Sequence, residues 1–305
     1  MYKRLLLINL VGLIVSTCFA TMLWGADCER TKALISEHNL SVHGAMIDVN
    51  NIAMWVNANG LFAANPESGH SGFEFPKGSG KTLVYSAGPW VVGKMDGEIR
   101  TAGAYYSTEY KPGLILSDGT PDDPDLGKYI VHKINRGESV PQEVIELGGP
   151  SEVIGDQMLY TVFNDADPRS HNSVWQTEPI KLEAHLLVWG YAGSHEAFAN
   201  TIFMQYEFIN KNTLPLEQAY VGFYFDVDIG EAIDDYAGCD TTLNLGYGYN
   251  GQMVDEVYGQ EVPCLGCDLL QGPLVPSIGD TAHFPDGRIF PDHKNLGMTA
   301  FVRYL

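Results

Sequence analysis

Apolar and polar side chains alternate with a period of two residues over much of the second half of the chain. Segment 180–189 carries five apolar residues on one face: Ile180, Leu182, Ala184, Leu186 and Val188. Segments 158–163, 202–209 and 219–227 alternate in the same way. This period indicates strands with one buried face, since a helix repeats every 3.6 residues. We therefore expect a mostly β protein, an antiparallel β-sandwich with long Gly/Pro/Asp-rich loops.

The first half of the chain has shorter candidate strands with longer loops between them. These strands are expected at 46–56, 82–85, 90–95, 98–106 and 129–135. Gly and Pro cluster between 136 and 156, which favours a boundary there. We predict an N-terminal β-rich region at 27–150 and a β-sandwich domain at 151–305. Because 299–305 resembles the start of an apolar strand, we expect that domain to be truncated at its C-terminus.

The N-terminus has the parts of a secretory signal peptide. Lys3 and Arg4 precede an apolar run at 5–15, and small residues follow up to Ala26. A membrane anchor that continues through Trp24 is the alternative, but the apolar run alone is shorter than the ~20 residues of a spanning helix. The pattern predicts a signal peptide at 1–26. We expect a secreted or cell-surface protein with no transmembrane segment in the mature chain.

The charge of the chain limits its partners. It has 18 Lys and Arg against 38 Asp and Glu, a net charge of −20. Nucleic acids and anionic membrane surfaces both favour basic patches, so neither is an expected partner. Cations and basic partners remain compatible with this charge, as does a simple role in solubility.

Four cysteines remain after the predicted signal peptide: Cys28, Cys239, Cys264 and Cys267. An even number in an exported chain predicts disulfides, with three possible pairings. The Cys264–Cys267 spacing also fits half of a zinc site or a redox pair. The zinc alternative lacks two further ligands at the usual spacing, and the redox alternative lacks a βαβ context, so disulfides are favoured.

Acidic residues cluster after the strand expected at 219–227. Asp226 and Asp228 are two residues apart and should share one face of an extended segment. Asp234 and Asp235 follow closely, and carboxylate oxygens are the ligands that Ca²⁺ prefers. We therefore expect calcium as a cofactor at these four residues. The alternative is a polar loop at a strand end, where Asp and Gly are common turn formers.

A shorter acidic motif gives a second calcium candidate. It consists of Asp165 and Asp167, in the sequence Asn164-Asp-Ala-Asp167. The same alternative interpretation, a polar turn at a strand end, applies to it.

Paired carboxylates also suggest an enzymatic alternative. Glu207 with Asp226 or Asp228 would resemble the acid and nucleophile of a glycoside hydrolase. Solvated polar residues on strand faces explain the same pattern, so no catalytic residue is assigned. Our first hypothesis is a secreted or cell-surface protein with a binding or structural role, with carbohydrate or cell-surface components as partners. The alternative hypothesis is a secreted polysaccharide-active hydrolase.

Several stretches of the chain are distinctive in sequence. They are Asn50-Asn-Ile-Ala-Met-Trp-Val-Asn-Ala-Asn-Gly60, Phe75-Pro-Lys-Gly-Ser-Gly-Lys-Thr82, Gly103-Ala-Tyr-Tyr-Ser107, Asn164-Asp-Ala-Asp167, Asp226-Val-Asp-Ile-Gly230 and Asp234-Asp-Tyr-Ala-Gly-Cys-Asp-Thr-Thr242. Together they resemble one family of secreted proteins from Bacteroidetes-like bacteria. Members of this family are largely uncharacterised and often end in a sorting domain for type IX secretion. The resemblance therefore implies export by that route, and it carries no catalytic residues.

Overall fold

Antiparallel β-sheets dominate the structure. The computed structural model describes residues 4–14, 44–172, 175–193, 195–284 and 287–303. Within these ranges, two large sheets contribute to one hydrophobic core, and a separate hairpin follows them. The expected mostly β sandwich architecture is confirmed.

The strands are numbered in chain order. They are β1 (Arg4–Ile14), β2 (Gly44–Ile47), β3 (Ala53–Asn57), β4 (Phe73–Glu74), β5 (Thr82–Met95), β6 (Glu98–Gly103), β7 (Lys111–Pro112), β8 (His132–Asn135), β9 (Gln157–Asn164), β10 (Leu182–Gly190), β11 (Ile202–Asn210), β12 (Glu217–Val227), β13 (Asp235–Asp240), β14 (Leu245–Asn250), β15 (Cys264–Gln271), β16 (Leu274–His283) and β17 (Ile289–Asn295). Two short helices, α1 (Gln142–Glu146) and α2 (Glu196–Ala199), and a 3-10 turn at Pro168–Asn172 lie between strands.

Each sheet mixes strands that are distant in sequence. The first sheet has nine strands in the order β13-β14-β15-β1-β11-β10-β9-β7, with β8 also paired to β9. The second sheet has six strands in the order β12-β5-β4-β3-β2, with β6 also paired to β5. Strands β16 and β17 form a hairpin.

The alternation of side chains produces the packing between the two sheets. Along β11 every second residue is buried, beginning with Ile202. On β12 the apolar face packs against the same core through four residues: Val221, Phe223, Phe225 and Val227. The ring centroids of Tyr206 on β11 and Phe223 on β12 are 5.1 Å apart, so the two sheets meet directly. The faces predicted for 180–189, 202–209 and 219–227 agree with this packing.

A second hydrophobic cluster covers the outer face of β9 and β10. Its members come from these strands and from the segment before them: Tyr129, Ile134, Val144, Leu147, Met158, Tyr160, Val162 and Leu187. Val144 belongs to α1, which places this helix over the sheet. Both faces of β9 are therefore buried, which explains why apolar residues occupy both faces of that strand.

The chain does not divide into two cores at residue 150. Strand β12 pairs antiparallel with β5, from Glu217 opposite Lys94 to Val227 opposite Val84. The core contains residues from Ile47 to Leu265. The expected regions 27–150 and 151–305 thus contribute strands to the same two sheets.

The predicted signal peptide has one described segment. Strand β1 lies between β11 and β15 in the first sheet, whereas residues 15–43 fall outside the described part of the chain. Removal of residues 1–26 stays a prediction. Among the described helices, none has the length and apolar character needed to cross a bilayer.

The expected C-terminal strand is not formed in the described residues. Positions 299–303 are irregular, and β17 already ends at Asn295. Apolar composition alone therefore did not identify a strand at this position.

Candidate cation site

Acidic side chains from three loops and strand ends converge beside the sandwich. The groups come from the end of β12, the start of β13 and the turn that follows β14. They are Asp228, Asp234, Asp235 and Asp255, with the amide of Asn250 beside them. After β12 the backbone stays attached to β5, because Asp228 N–H donates to Leu83 O at 3.0 Å. The second sheet therefore fixes one side of this cluster.

Asp235 is the most perturbed carboxyl of the cluster. Burial raises its pKa to about 8, although the Ile229 N–H acts in the opposite direction. Oδ2 accepts that N–H at 2.7 Å, whereas the buried Oδ1 has no hydrogen-bond partner in the described structure. The charges of Asp228 and Asp234 raise the pKa further. The site therefore disfavours a negative charge that no cation balances.

Asn250 and Asp234 contribute two more unpartnered oxygens. Asn250 is only 2% exposed, and its Nδ2 donates to Asp234 Oδ2 at 3.3 Å and to Gln252 O at 3.0 Å. The Oδ1 atoms of Asn250 and Asp234 are buried, and neither has a hydrogen-bond partner among the described residues. Buried polar oxygens without partners are costly, which makes a bound cation favourable here.

Asp255 organises the cluster. It is buried, and its Oδ1 accepts the N–H groups of Val257 at 2.8 Å and Tyr258 at 2.5 Å. Its Oδ2 accepts the Glu231 N–H at 2.9 Å. Asp255 therefore supplies negative charge, while its oxygens are already used by the backbone. This role could not be predicted from the sequence, because Asp255 lies in a loop about twenty residues after the acidic run.

Gly230 permits the close approach of Asp255. Its φ of 68° lies in the left-handed region, and a Cβ at this position would collide with the Asp255 carboxylate. Only glycine adopts this φ without strain and also leaves room for the Asp255 carboxylate.

Asp226 faces a different group of residues from Asp228. The pairing of β12 with β5 shifts register between Asp226 and Val227, where Tyr85 is the extra residue on β5. Burial raises the pKa values of Tyr106 and Tyr224, and the charge of Asp226 raises them further. The structure thus brings Asp228, Asp234 and Asp235 together but places Asp226 beside tyrosines.

The tyrosines beside Asp226 belong to an aromatic face, defined here as Trp90, Tyr105, Tyr106, Trp175 and Tyr224. Trp90 stacks on Tyr224 with ring centroids 5.7 Å apart and an interplanar angle of 2°. Trp175 meets Trp90 edge-on at 5.0 Å. Except for Tyr224, these rings are half-buried, and the face lies on the side of the second sheet that points away from the core.

Asp165 and Asp167 have separate structural roles. Asp165 is fully buried, and it accepts the N–H groups of Ile180 at 2.7 Å and Leu182 at 2.5 Å. Asp167 pairs instead with the exposed Arg169 at 2.9 Å. Over the described ranges, no three His, Cys, Asp or Glu side chains are close enough to hold a metal ion by themselves. A cation at the acidic cluster would therefore also need amide, backbone or water oxygens.

A buried group that the sequence did not reveal lies next to Asp165. His171 Nδ1 is 3.6 Å from Glu109 Oε1, and His171 Nε2 is 3.5 Å from Asp165 Oδ2. Burial raises the pKa of Glu109 to about 7, and the charge of Asp165 adds to this rise. No local pattern links these residues, since they come from a loop, the 3-10 turn and the end of β9.

Glu207 is far from the acidic cluster in the fold. It lies on the outer face of the first sheet, directly opposite His185 on β10. Asp226 lies on the outer face of the second sheet, opposite Ser86 on β5. The core separates these faces, so Glu207 does not share a cleft with Asp226. The geometry gives no support to the hydrolase alternative.

The three described cysteines are not joined to one another by disulfides. Cys239 and Cys267 both lie opposite Gly246 of the strand between them, so two strand spacings, about 10 Å, separate them. This exceeds the ~7 Å limit for a disulfide. Cys264 is three residues from Cys267 on the same strand and points to the other face. Cys239, Cys264 and Cys267 form no disulfide with one another, and Cys28 lies outside the described residues.

Cys267 also differs from the reactive thiol of a redox pair. Burial raises the pKa of Cys267 to about 12, and the charge of Asp268 contributes to the rise. A reactive thiol has a lowered pKa instead. If all four cysteines were paired, Cys28 would bond to one of the three described cysteines, and the other two would bond to each other. The structure has no such disulfide between described cysteines, so the predicted pairing of all four is not formed in it.

Comparison with known proteins gives no family for this chain. No family model, curated protein or solved structure matches it. The resemblance to secreted proteins of Bacteroidetes-like bacteria therefore stays a prediction.

Proposed function

We propose that the protein works outside the cell, secreted or at the cell surface, as a β-sandwich with a binding or structural role that is stabilised by Ca²⁺. The observation that carries the proposal is the set of buried, unpartnered oxygens on Asp234, Asp235 and Asn250. These oxygens lie within one acidic cluster at the end of the sandwich.

Calcium suits this cluster for two physical reasons. Ca²⁺ takes six to eight oxygen ligands in a flexible geometry, and it accepts carboxylate, amide, backbone and water oxygens together. A divalent charge would also reduce the repulsion between Asp234 and Asp235. The raised pKa of Asp235 is consistent with a site whose natural counter-charge is a cation.

The aromatic face supports the binding part of the proposal. Half-buried aromatic rings beside a carboxylate suit the stacking and hydrogen bonding that a sugar ring requires. Asp226 lies beside Tyr106 and Tyr224 on this face. We therefore propose carbohydrate or cell-surface components as partners, with the aromatic face as the contact surface.

Thermal unfolding tests the calcium part. The Tm of the purified protein should be several degrees higher in Ca²⁺ than in EGTA. Asp235→Asn should remove most of this difference, because it replaces a charged carboxylate at the site with a neutral amide. Asp240→Asn is the matched control in the same hairpin, since Asp240 only accepts hydrogen bonds from Thr242 and Leu243. Equal Tm values in Ca²⁺ and EGTA would refute the calcium site.

A further inference from the structure

Strand β1 connects two parts of the first sheet. It pairs with β11 at seven positions, from Arg4 opposite Ile209 to Val11 opposite Phe203, and with β15 at four positions. The other edge of β11 pairs with β10 at nine positions, and the other edge of β15 pairs with β14. Both neighbours of β1 thus have another strand paired to their far sides.

The same residues belong to the predicted signal peptide. Cleavage of residues 1–26 would remove all of β1 and would leave an open slot between β11 and β15. The backbone N–H and C=O groups on both sides of that slot would lose their partners, which is costly where the surroundings are buried. Exposed strand edges of this kind readily accept another strand. This step rests on the proposed export of the protein.

We propose that the slot between β11 and β15 is a strand-acceptor site in the exported protein. Its occupant is an extended apolar segment of another polypeptide, inserted antiparallel to both strands. The segment Arg4–Ile14 shows the required length and direction, because it fills the slot in the structure.

The flanking residues define the chemistry of the occupant. On β11 the core-facing side chains beside the slot include Met204, Tyr206 and Phe208, and all three are buried. On β15 Leu265 is buried as well. A segment with apolar residues at every second position completes this core layer, whereas a charged segment does not. Proline is excluded from the paired positions, because the inserted strand forms ladders on both edges.

A peptide-binding experiment tests the proposal. The protein is prepared in two forms, the exported form with its N-terminus verified by mass and the unprocessed full chain. A fluorescent peptide with the sequence of Arg4–Ile14 is the probe. It should bind the processed form at least tenfold more tightly than the unprocessed form, whose slot is already filled. The same peptide with Ile8→Pro, which loses a backbone donor opposite Tyr206, should bind at least tenfold more weakly.

Amide hydrogen exchange locates the binding site. Peptide binding should slow exchange in β11 and β15, while β12, which belongs to the other sheet, should not change. Equal binding by both forms, or by the proline peptide, would overturn the strand-acceptor site. A concentration-dependent dimer that excludes the peptide would assign the slot to a second copy and overturn the proposed partner.

The mass of the exported protein shows whether residues 1–26 have been removed. It therefore distinguishes a failure of the processing step from a failure of the strand-acceptor site. An exported protein that retains residues 1–26 would overturn the processing step, and with it the open slot, but would leave the calcium test unaffected. A correctly processed protein that fails to bind the peptide would overturn the slot alone.

Discussion

Glu109 Oε1 lies 3.6 Å from His171 Nδ1 within the protein core, and Asp165 lies on the other side of the same imidazole. The exposed fraction of Glu109 is 0%, and neither of its carboxyl oxygens makes a hydrogen bond of ordinary geometry within the described structure. Two carboxyls therefore share one histidine in a place that water does not reach. Such an arrangement ties the stability of the fold to pH.

Replacing Glu109 with Gln should make the protein less sensitive to alkaline pH. The pKa of Glu109 is raised to about 7 in the folded state, so its stabilising protonated form is present at acidic pH and lost as the pH rises through 7. At pH 8, Glu109→Gln should have a higher free energy of unfolding than the wild type, by about 1–3 kcal/mol. Urea unfolding from pH 5 to 8 measures the difference. The exposed Glu67→Gln is the control, and identical pH profiles for wild type and Glu109→Gln would contradict the prediction.

The two aspartates of the Asn164–Asp167 motif should differ in importance. Asp165→Ala leaves the buried N–H groups of Ile180 and Leu182 without acceptors, which should cost about 3 kcal/mol. Asp167→Ala removes an ion pair with an exposed arginine and a hydrogen bond from the Arg169 N–H at the start of a turn, which should cost about 1 kcal/mol. Chemical denaturation of both variants checks the ranking. Similar losses for the two variants would contradict it.

Calcium binding at the acidic cluster should strengthen as the pH rises from 6 to 8. The pKa of Asp235 is raised to about 8, so a cation must displace its proton to bind at neutral pH. Titration calorimetry in buffers of different ionisation enthalpy should detect proton release. Asp235→Asn should weaken binding and abolish the release, whereas Asp240→Asn should preserve both. Binding that is independent of pH in the wild type would exclude Asp235 as a ligand.

Gly230→Ala should destabilise the protein more than Gly279→Ala. Both glycines have a positive φ, 68° and 89°, so each alanine incurs a backbone cost of about 1 kcal/mol. Only the Cβ at 230 also meets the Asp255 carboxylate, because the space around Gly279 is open. The difference between the two Tm values therefore reports the contact with Asp255. Equal destabilisation would show that this contact is unimportant.

Trp90→Ala should weaken binding to soluble polysaccharides by tenfold or more. Trp90 is central to the aromatic face, where it contacts Tyr224 and Trp175. Trp189→Ala is the matched control, because Trp189 stacks on Phe203 in the first sheet, away from that face. Affinity electrophoresis against a polysaccharide panel measures the effect. Equal loss in both variants, or binding by neither protein, would contradict the carbohydrate proposal.

The strand faces could be predicted from sequence because they depend on local periodicity. The alternation at 202–209 identified the buried face of β11, and the alternation at 219–227 did the same for β12. The segment 46–56 was expected to be one strand, but the structure has β2 and β3 with a turn between them. Periodicity therefore located strands better than it located their ends.

The candidate sites were predicted less well than the strand faces, because the sites depend on contacts between residues that are distant in sequence. Asp228 lies near Asp235, whereas Asp226 lies beside Tyr106 and Tyr224, and the two-residue spacing in the sequence does not show this difference. Asp255 joins the acidic cluster from a remote turn, and Glu109 meets His171 across 62 positions of sequence. No local pattern marks any of these contacts.

The pairing of β5 with β12 has a consequence for synthesis of the chain. Strand β5 ends at Met95, and β12 begins more than a hundred residues later at Glu217. Closing so long a loop makes folding slow, since non-local strand pairs lose chain entropy before they gain contacts. On the ribosome, one edge of β5 has no partner until residues 217–227 emerge. Truncated chains that end before β12 should aggregate, and chaperones should be needed to cover the unpaired edge of β5 during synthesis.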